Sequence, residues 1–248
     1  MVVCEKKEAR LSTLEKLAGI YGDQWVWISF EPINKIVLHF VVGRHTQKNA
    51  DALVQGTKDR SDGHMPLFTR DELKHYDDAL LKAYGVKQEI PRTGKRGRPR
   101  NPLCLPPPEL LYAQVVKRRR KGRIVDITAR VIFGSEREVA EKLTESPVSQ
   151  HINTSFVERD NLTLRHHNRR LTRKTISFSK KQERLTRQLH LSLAYYHLVK
   201  PHLSLREVVQ DGEKKKYLPR TPAMAAGITG QIWTMEKLFS KNVLQPEG

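Results

Sequence analysis

The chain has 248 residues, 38% of them hydrophobic, with 45 Lys and Arg against 27 Asp and Glu, a formal net charge of +18 and a pI near 10.0. That length holds one large domain or two small ones with a real core, and a balance this basic points to a polyanionic partner, of which nucleic acid is the usual one. No apolar run approaches the roughly 18 residues that span a bilayer, so a membrane-spanning helix is excluded, and the N-terminus lacks the apolar core of a signal peptide. Cys4 and Cys104 stand apart without CxxC spacing, which argues against a disulfide framework or a cysteine zinc site. The expectation is a cytoplasmic, nucleoid-associated protein with no membrane partner.

Residues 1–20 are polar and read as a loop leading into a short helix. Trp25-Val26-Trp27-Ile28-Ser29-Phe30 and Ile36-Val37-Leu38-His39-Phe40-Val41-Val42 are aromatic and β-branched runs. The turn composition Glu31–Lys35 between them predicts a β-hairpin. A helix follows over 46–59, with Thr46 as N-cap and Ala50, Leu53 and Val54 on one face. Met65–Thr69 is a short strand, with Pro66 confined to its start or to an edge. Leu73, Tyr76, Leu80 and Tyr84 recur at helical spacing over 72–84.

Residues 87–123 differ in kind. Pro91, Pro99, Pro102 and Pro106-Pro107-Pro108 preclude regular helix there, and the charge is strongly positive. The segment reads as a basic excursion with one short strand near 111–116. Ile124–Phe133 is a further strand. Helices are predicted over 155–172 and 178–200, the second ended by Pro201. Thr221–Gly227 has a proline at a helix start and a glycine at its end, and a last short helix holds Trp233, Leu238 and Phe239. The resulting division is 1–20, 21–86, 87–123, 124–240 and a tail at 241–248.

Three basic features suit nucleic acid. Lys95-Arg96-Gly97-Arg98-Pro99-Arg100 resembles an AT-hook, whose extended arginines lie in the narrow minor groove of A·T-rich DNA. By that resemblance Arg96, Arg98 and Arg100 contact DNA; otherwise the segment is a basic linker. Lys117–Arg123 places six positive charges in seven residues. These repel one another unless a polyanion is near, which makes Arg118 and Arg119 candidate phosphate contacts. From Arg165 to Arg187 nine Lys or Arg face one acid, Glu183, with Leu171, Ile176, Phe178 and Leu185 interleaved. A merely solvated face would mix both signs, so Arg165, Arg169, Arg173 and Lys180 are candidate contacts to a phosphate backbone.

The acids form a second pattern. Strand, turn, strand, helix, then a strand followed by an acid, and later a helix bearing an acid, is the order of elements in an RNase H-like core. That core is a mixed α/β fold whose mixed sheet is flanked by helices. Its carboxylates hold divalent cations, which need hard oxygen ligands. Asp71 follows the strand Met65–Thr69 by two residues. Glu158 stands in the first turn of a helix, with Asn161 and Arg165 on its face.

Tyr21-Gly22-Asp23-Gln24-Trp25-Val26-Trp27, Val42–Ala50, Leu67–Leu73, Ser155–Arg165, Phe178–Lys181 and Thr221–Gly227 together resemble the DDE transposases of bacterial insertion sequences, in the insertion-sequence-one branch. The resemblance implies that Asp71 and Glu158 are the second and third catalytic acids and metal ligands, and that Arg165 faces DNA. It also implies Mg²⁺ or Mn²⁺ as cofactor, double-stranded DNA (transposon ends and target) as partner, and a homo-oligomer. The family's reaction nicks transposon ends and joins the freed 3′-hydroxyl to target DNA.

The departure concerns the first acid, which in this fold lies on a strand upstream of the hairpin. Glu5, Glu8 and Glu15 are the acids available there, and none sits in a strand-like run. Glu31, at the hairpin turn, is a further candidate. No zinc-binding or helix-turn-helix segment precedes the hairpin. The expectation is therefore a copy truncated at the N-terminus that keeps DNA affinity and has lost strand transfer. The alternatives are a non-catalytic DNA-binding protein using the hook-like segment and basic helices, or a basic ribonucleoprotein component.

Overall fold

A computed structural model of the chain describes residues 2–4, 12–18, 22–89, 102–172, 175–211 and 214–240. The first half contains β1 (Val2–Cys4), α1 (Thr13–Ala18), β2 (Asp23–Glu31), β3 (Ile36–Gly43), α2 (Gln47–Lys58), β4 (Leu67–Asp71), α3 (His75–Tyr84), β5 (Val86–Gln88) and β6 (Leu103–Leu105). Then come β7 (Leu111–Arg120), β8 (Arg123–Phe133), α4 (Glu136–Thr144), α5 (Ser155–His167), α6 (Gln182–Ala194), β9 (Glu207–Asp211), β10 (Lys214–Leu218), α7 (Pro222–Ala225) and α8 (Met235–Ser240). The fold is mixed α/β. It forms two compact units, one of residues 1–45 with 157–248 and one of residues 46–156.

The first unit is organised by the hairpin. β2 pairs antiparallel with β1 on one side and β3 on the other. The rungs Val26↔Val42, Ile28↔Phe40 and Phe30↔Val37 put apolar partners opposite each other on one face, with a register shift after Ser29. Leu185, Leu189 and Leu193 recur every four residues along α6, and together with Leu164 and Leu171 they form the core against Val26, Val37 and Val42. The Gln182 side-chain amide donates to the Val42 carbonyl at 2.5 Å and fixes the start of α6 to the end of β3.

The helix predicted over 178–200 is shorter and irregular at its end. It starts at Gln182 and widens into a single π-turn over Tyr195–Val199. Pro201 forces Lys200 out of the helical region, to φ −88 and ψ 116. The π-turn aims His197 at β3, where its Nε2 accepts the Val37 N–H at 3.1 Å. The predicted 155–172 helix likewise stops early, at His167, and a 3₁₀ turn over Arg169–Leu171 follows. At the C-terminal end Thr221 Oγ1 accepts from Met224 N, Pro222 opens α7, and Gly227 takes φ 72 beyond it, as the proline–glycine pattern predicts. The antiparallel pair β9–β10 carries no clear sequence signal, because its strands are polar and largely exposed.

The second unit is built on a mixed sheet in the order β4–β7–β8, with β4 parallel to β7 and β7 antiparallel to β8. Its helices α2 and α3 bury Ala50, Leu53, Val54, Tyr76, Ala79 and Leu80. Gln47 Nε2 donates to the His75 carbonyl at 2.8 Å, and Lys58 Nζ reaches the Ala83 carbonyl at 2.5 Å, so the two helices meet start to start and end to end. Tyr112, Ala113, Gln114 and Val115 of the central strand are buried. The Gln114 amide is satisfied on every side: it donates to Asp77 Oδ1 and the Tyr112 hydroxyl and accepts from Arg130 Nη2.

The sequence reading of 87–123 as an excursion needs correction at its C-terminal end. β7 is a ten-residue strand that runs to Arg120 and turns directly into β8 through Lys121 (φ 50) and Gly122 (φ 79). Two residues with positive φ make a type I′ turn, whose twist matches the flanking strands. A Lys-Gly turn carries this geometry less visibly than Asn-Gly, so the basic run has the composition of a loop. α4 is a further element absent from the sequence reading, although Ser135 and Glu138 form a capping box at its start.

The His197 arrangement makes stability depend on pH. Burial pushes its pKa down from 6.5 to about 4. The unfolded chain therefore takes up a proton across that window while the folded chain resists it. The contribution is complete above pH 6.5 and is lost as pH falls through the window toward 4. The full linkage is worth about 3 kcal/mol. Urea unfolding at several pH values should show the wild type losing more stability between neutral and acidic pH than His197→Gln. Parallel pH profiles for the two proteins would refute this assignment.

Candidate functional site

Asp71 is the last residue of β4, and the parallel ladder pairs it with Val115. The strand runs two residues further than its sequence pattern suggests. Its Oδ1 accepts from Lys117 Nζ at 2.9 Å and from Thr154 Oγ1 at 3.2 Å, while Lys117 Nζ also reaches Thr154 Oγ1 at 3.2 Å. Three groups therefore close a triangle at the edge of the mixed sheet. Asp71 is 53% exposed and Lys117 19% exposed. The lysine supplies the countercharge that a divalent cation would otherwise supply.

Glu158 stands exposed in the first turn of α5, where a carboxylate also complements the positive helix end. Asn161 and Arg165, one and two turns on, are half-buried. Glu31 plays a structural part. Its Oε1 accepts from Ile33 N at 2.5 Å and its Oε2 from Asn34 N at 2.7 Å, so both oxygens hold the hairpin turn together. Within each unit taken by itself, no group of three or more His, Cys, Asp or Glu among the described residues is placed to hold a metal ion. The described residues of neither unit alone bring together the several carboxylates that a two-cation site needs.

Among the candidate DNA contacts, Arg118 and Arg119 lie exposed near the β7–β8 turn, and Arg169 and Lys180 are exposed in the first unit. Arg96, Arg98, Arg100 and Arg173 lie outside the described residues, as do Glu5 and Glu8. β5 and β6 pair antiparallel and bracket the hook-like segment.

A cleft just beyond the C-terminal end of α5 is not legible in the sequence, although Arg169 in its wall is. An open cleft of about 420 Å³ in the first unit is lined by His167, Asn168, Arg169, Arg170, Ser177 and Phe178, among others. Asn168 Oδ1 accepts from Arg170 N, and its buried Nδ2 has no partner. Arg170 Nη1 donates to Ser179 Oγ at 2.9 Å. His167 Nε2 lies 2.6 Å from Lys200 Nζ, and burial first, then that ammonium, lowers the imidazole pKa. A neutral His167 accepts the Lys200 proton, and the cleft wall carries Arg169 and Arg170, cations suited to phosphate oxygens.

Asp160 escapes sequence reasoning too. The residue is 3% exposed, neither carboxylate oxygen has a hydrogen-bond partner, and burial pushes its pKa up to about 7. It lies two residues from Glu158, hence on the opposite face of α5, four residues before the buried Leu164. A helical wheel drawn through Leu164 places it on the buried side, and that is the signal by which it could be found.

Residues 128–196 match the family model described as IS1 transposase. The segment is IS1-transposase-like. It carries Glu158, Arg165, Arg169 and Lys180, bears out the resemblance read at Ser155–Arg165 and Phe178–Lys181, and supports a transposase-related function. Asp71, Glu31, the hook-like segment and the tip of the β7–β8 hairpin lie outside it. No curated protein and no solved structure matches the chain. Among the described residues no helix is long and apolar enough to cross a membrane.

The geometry gives Glu31 a larger structural part than Asp71. Glu31→Ala removes two charge-assisted turn bonds, and thermal melts should place its cost at about 1–3 kcal/mol. Asp71→Asn breaks an ion pair whose acid is half-exposed and should cost under about 1 kcal/mol. A reversed ranking would show that Asp71, not Glu31, carries the structural load.

Proposed function

We propose that this chain is a transposase-derived, sequence-tolerant binder of duplex DNA, with an RNase H-like ancestry and no strand-transfer activity of its own. One observation carries the reading: the IS1 transposase match falls on the segment that holds Glu158 and the basic residues around it. The net charge of +18 supports it, since such a surplus neutralises a phosphate backbone. In this reading Arg165, Arg169 and Lys180, with the cleft wall at Arg170, contact phosphates.

Asp71 and Glu158 are the chain's counterparts of the family's second and third acids in this reading, and Asp71 is held by Lys117 and Thr154. The divalent metal that the family's chemistry requires would polarise the scissile phosphate. What this chain's own residues do is bind and orient the backbone. Glu31, with both oxygens engaged in a turn, does not serve as the family's first acid.

Two measurements test the proposal. Binding to a labelled duplex should weaken steeply with salt, and Arg165→Gln/Arg169→Gln should reduce the slope of log K against log salt by about 2. Salt-independent binding, or an unchanged slope, would remove the assigned contacts. Labelled terminal fragments incubated with target DNA and Mg²⁺ or Mn²⁺ should give no joined product. Joining that Glu158→Gln abolishes would overturn the loss of activity.

A further inference from the structure

β4 ends at Asp71, opposite Val115, whereas β7 continues to Arg120. Beyond that rung β7 and β8 are a two-stranded ribbon without a third strand beside them among the described residues. All eight residues from Arg123 to Arg130 are exposed, as are Arg118, Arg119, Arg120, Lys121 and Gly122. Both faces of the ribbon are therefore open within its unit, and the two faces differ.

Cross-strand partners share a face. The rungs Lys117↔Ile127 and Arg119↔Ile124 put two cations and two isoleucines on one side. The rungs Arg118↔Asp126 and Arg120↔Arg123 put three arginines and one acid on the other. The register shifts between Arg118 and Arg119, which leaves Val125 as the extra residue of a bulge and adds twist. Ile124, Val125 and Ile127 are 45%, 61% and 60% exposed. An exposed apolar cluster flanked by Lys117 and Arg119 is costly in water unless something covers it.

We infer that this ribbon is a DNA-binding arm that enters the major groove of duplex DNA, its arginines on the phosphates and Ile124, Val125 and Ile127 against base edges and thymine methyls. The inference rests on the DNA-binding reading above and names the surface. The dimensions agree. Two strands lie about 4.8 Å apart, and the five residues from Val116 to the turn reach about 17 Å. The major groove is about 12 Å wide and about 8.5 Å deep and admits a two-stranded ribbon. Charge selects the occupant: apart from Lys117, which Asp71 engages, the tip carries five cations against the single acid Asp126. A second copy of this chain, itself strongly basic, would be repelled there.

The Asp71–Lys117–Thr154 triangle sits at the rung where the ribbon leaves the sheet. It ties the root of the arm to the residue just before α5. Asp71 is thereby a positioning residue for the arm.

The test uses the full chain and a short labelled duplex containing guanines and A·T pairs. Arg118→Gln/Arg119→Gln/Arg120→Gln/Arg123→Gln should weaken binding by about ten-fold or more and lower the salt slope by about 3 to 4. The corresponding four-lysine variant should restore the slope. Wild type should protect guanine N7, which lies in the major groove, from methylation, and Ile124→Ser/Ile127→Ser should lose that protection while folding normally by circular dichroism. If the glutamine variant binds like wild type, the arm inference fails and the DNA reading stands. If wild type does not bind duplex at all, both fail. Affinity lost without any N7 protection by wild type would place the arm outside the major groove and overturn the inference.

Discussion

β4 stops five residues before β7 does, and the character of the second unit follows from that difference in length. Up to Val115 the strand is the centre of a sheet, buried on both faces, with Gln114 satisfied by Asp77, Tyr112 and Arg130. Past Val115 it has one neighbour and open faces. Past that rung backbone pairing continues on the β8 edge alone. Burial changes too, and with it the side chains that can be tolerated: Tyr112, Ala113 and Val115 give way to Lys117, Arg118, Arg119 and Arg120. A sheet terminating inside a longer hairpin produces an arm without any dedicated domain.

The first unit obeys a different constraint. Its hairpin must bury Val26, Val37 and Val42, and the leucine stripe of α6 does so with Leu164 and Leu171. The demand that this packing makes on α6 is visible at its end, where a π-turn and Pro201 bring His197 to the Val37 amide. A histidine used as a buried acceptor must stay neutral, and acid sensitivity is the consequence. The same economy appears in Glu31, whose carboxylate closes the turn. Acids and histidines in this protein are as much structural as chemical.

That overlap bears on the catalytic assignment. Asp71 stands at a strand end and Glu158 in a first helical turn. Yet Asp71 is already neutralised by Lys117, and Asp160, not Glu158, is the buried carboxylate of α5 with a raised pKa. The basic surface is spread over the tip of the ribbon and the cleft around Asn168 and Arg169. The proposed DNA affinity therefore has more than one footing in this chain, and its contacts are cationic side chains, not the acids.

Periodicity alone determined the hairpin, α2, β4, α3 and α7, because alternating or fourfold apolar spacing and proline–glycine punctuation are local properties of the chain. It also determined that nucleic acid is the partner to expect, since charge is a sum over residues. Tertiary structure alone decided which strand lies beside which. It decided that β4 joins β7, and that a run of arginines is a ribbon tip and not a loop. It decided that Asp71 meets Lys117 and Thr154, and that Asp160 is buried while Glu158 is not. Those outcomes depend on contacts between residues far apart in the chain, whose free energies no local pattern contains.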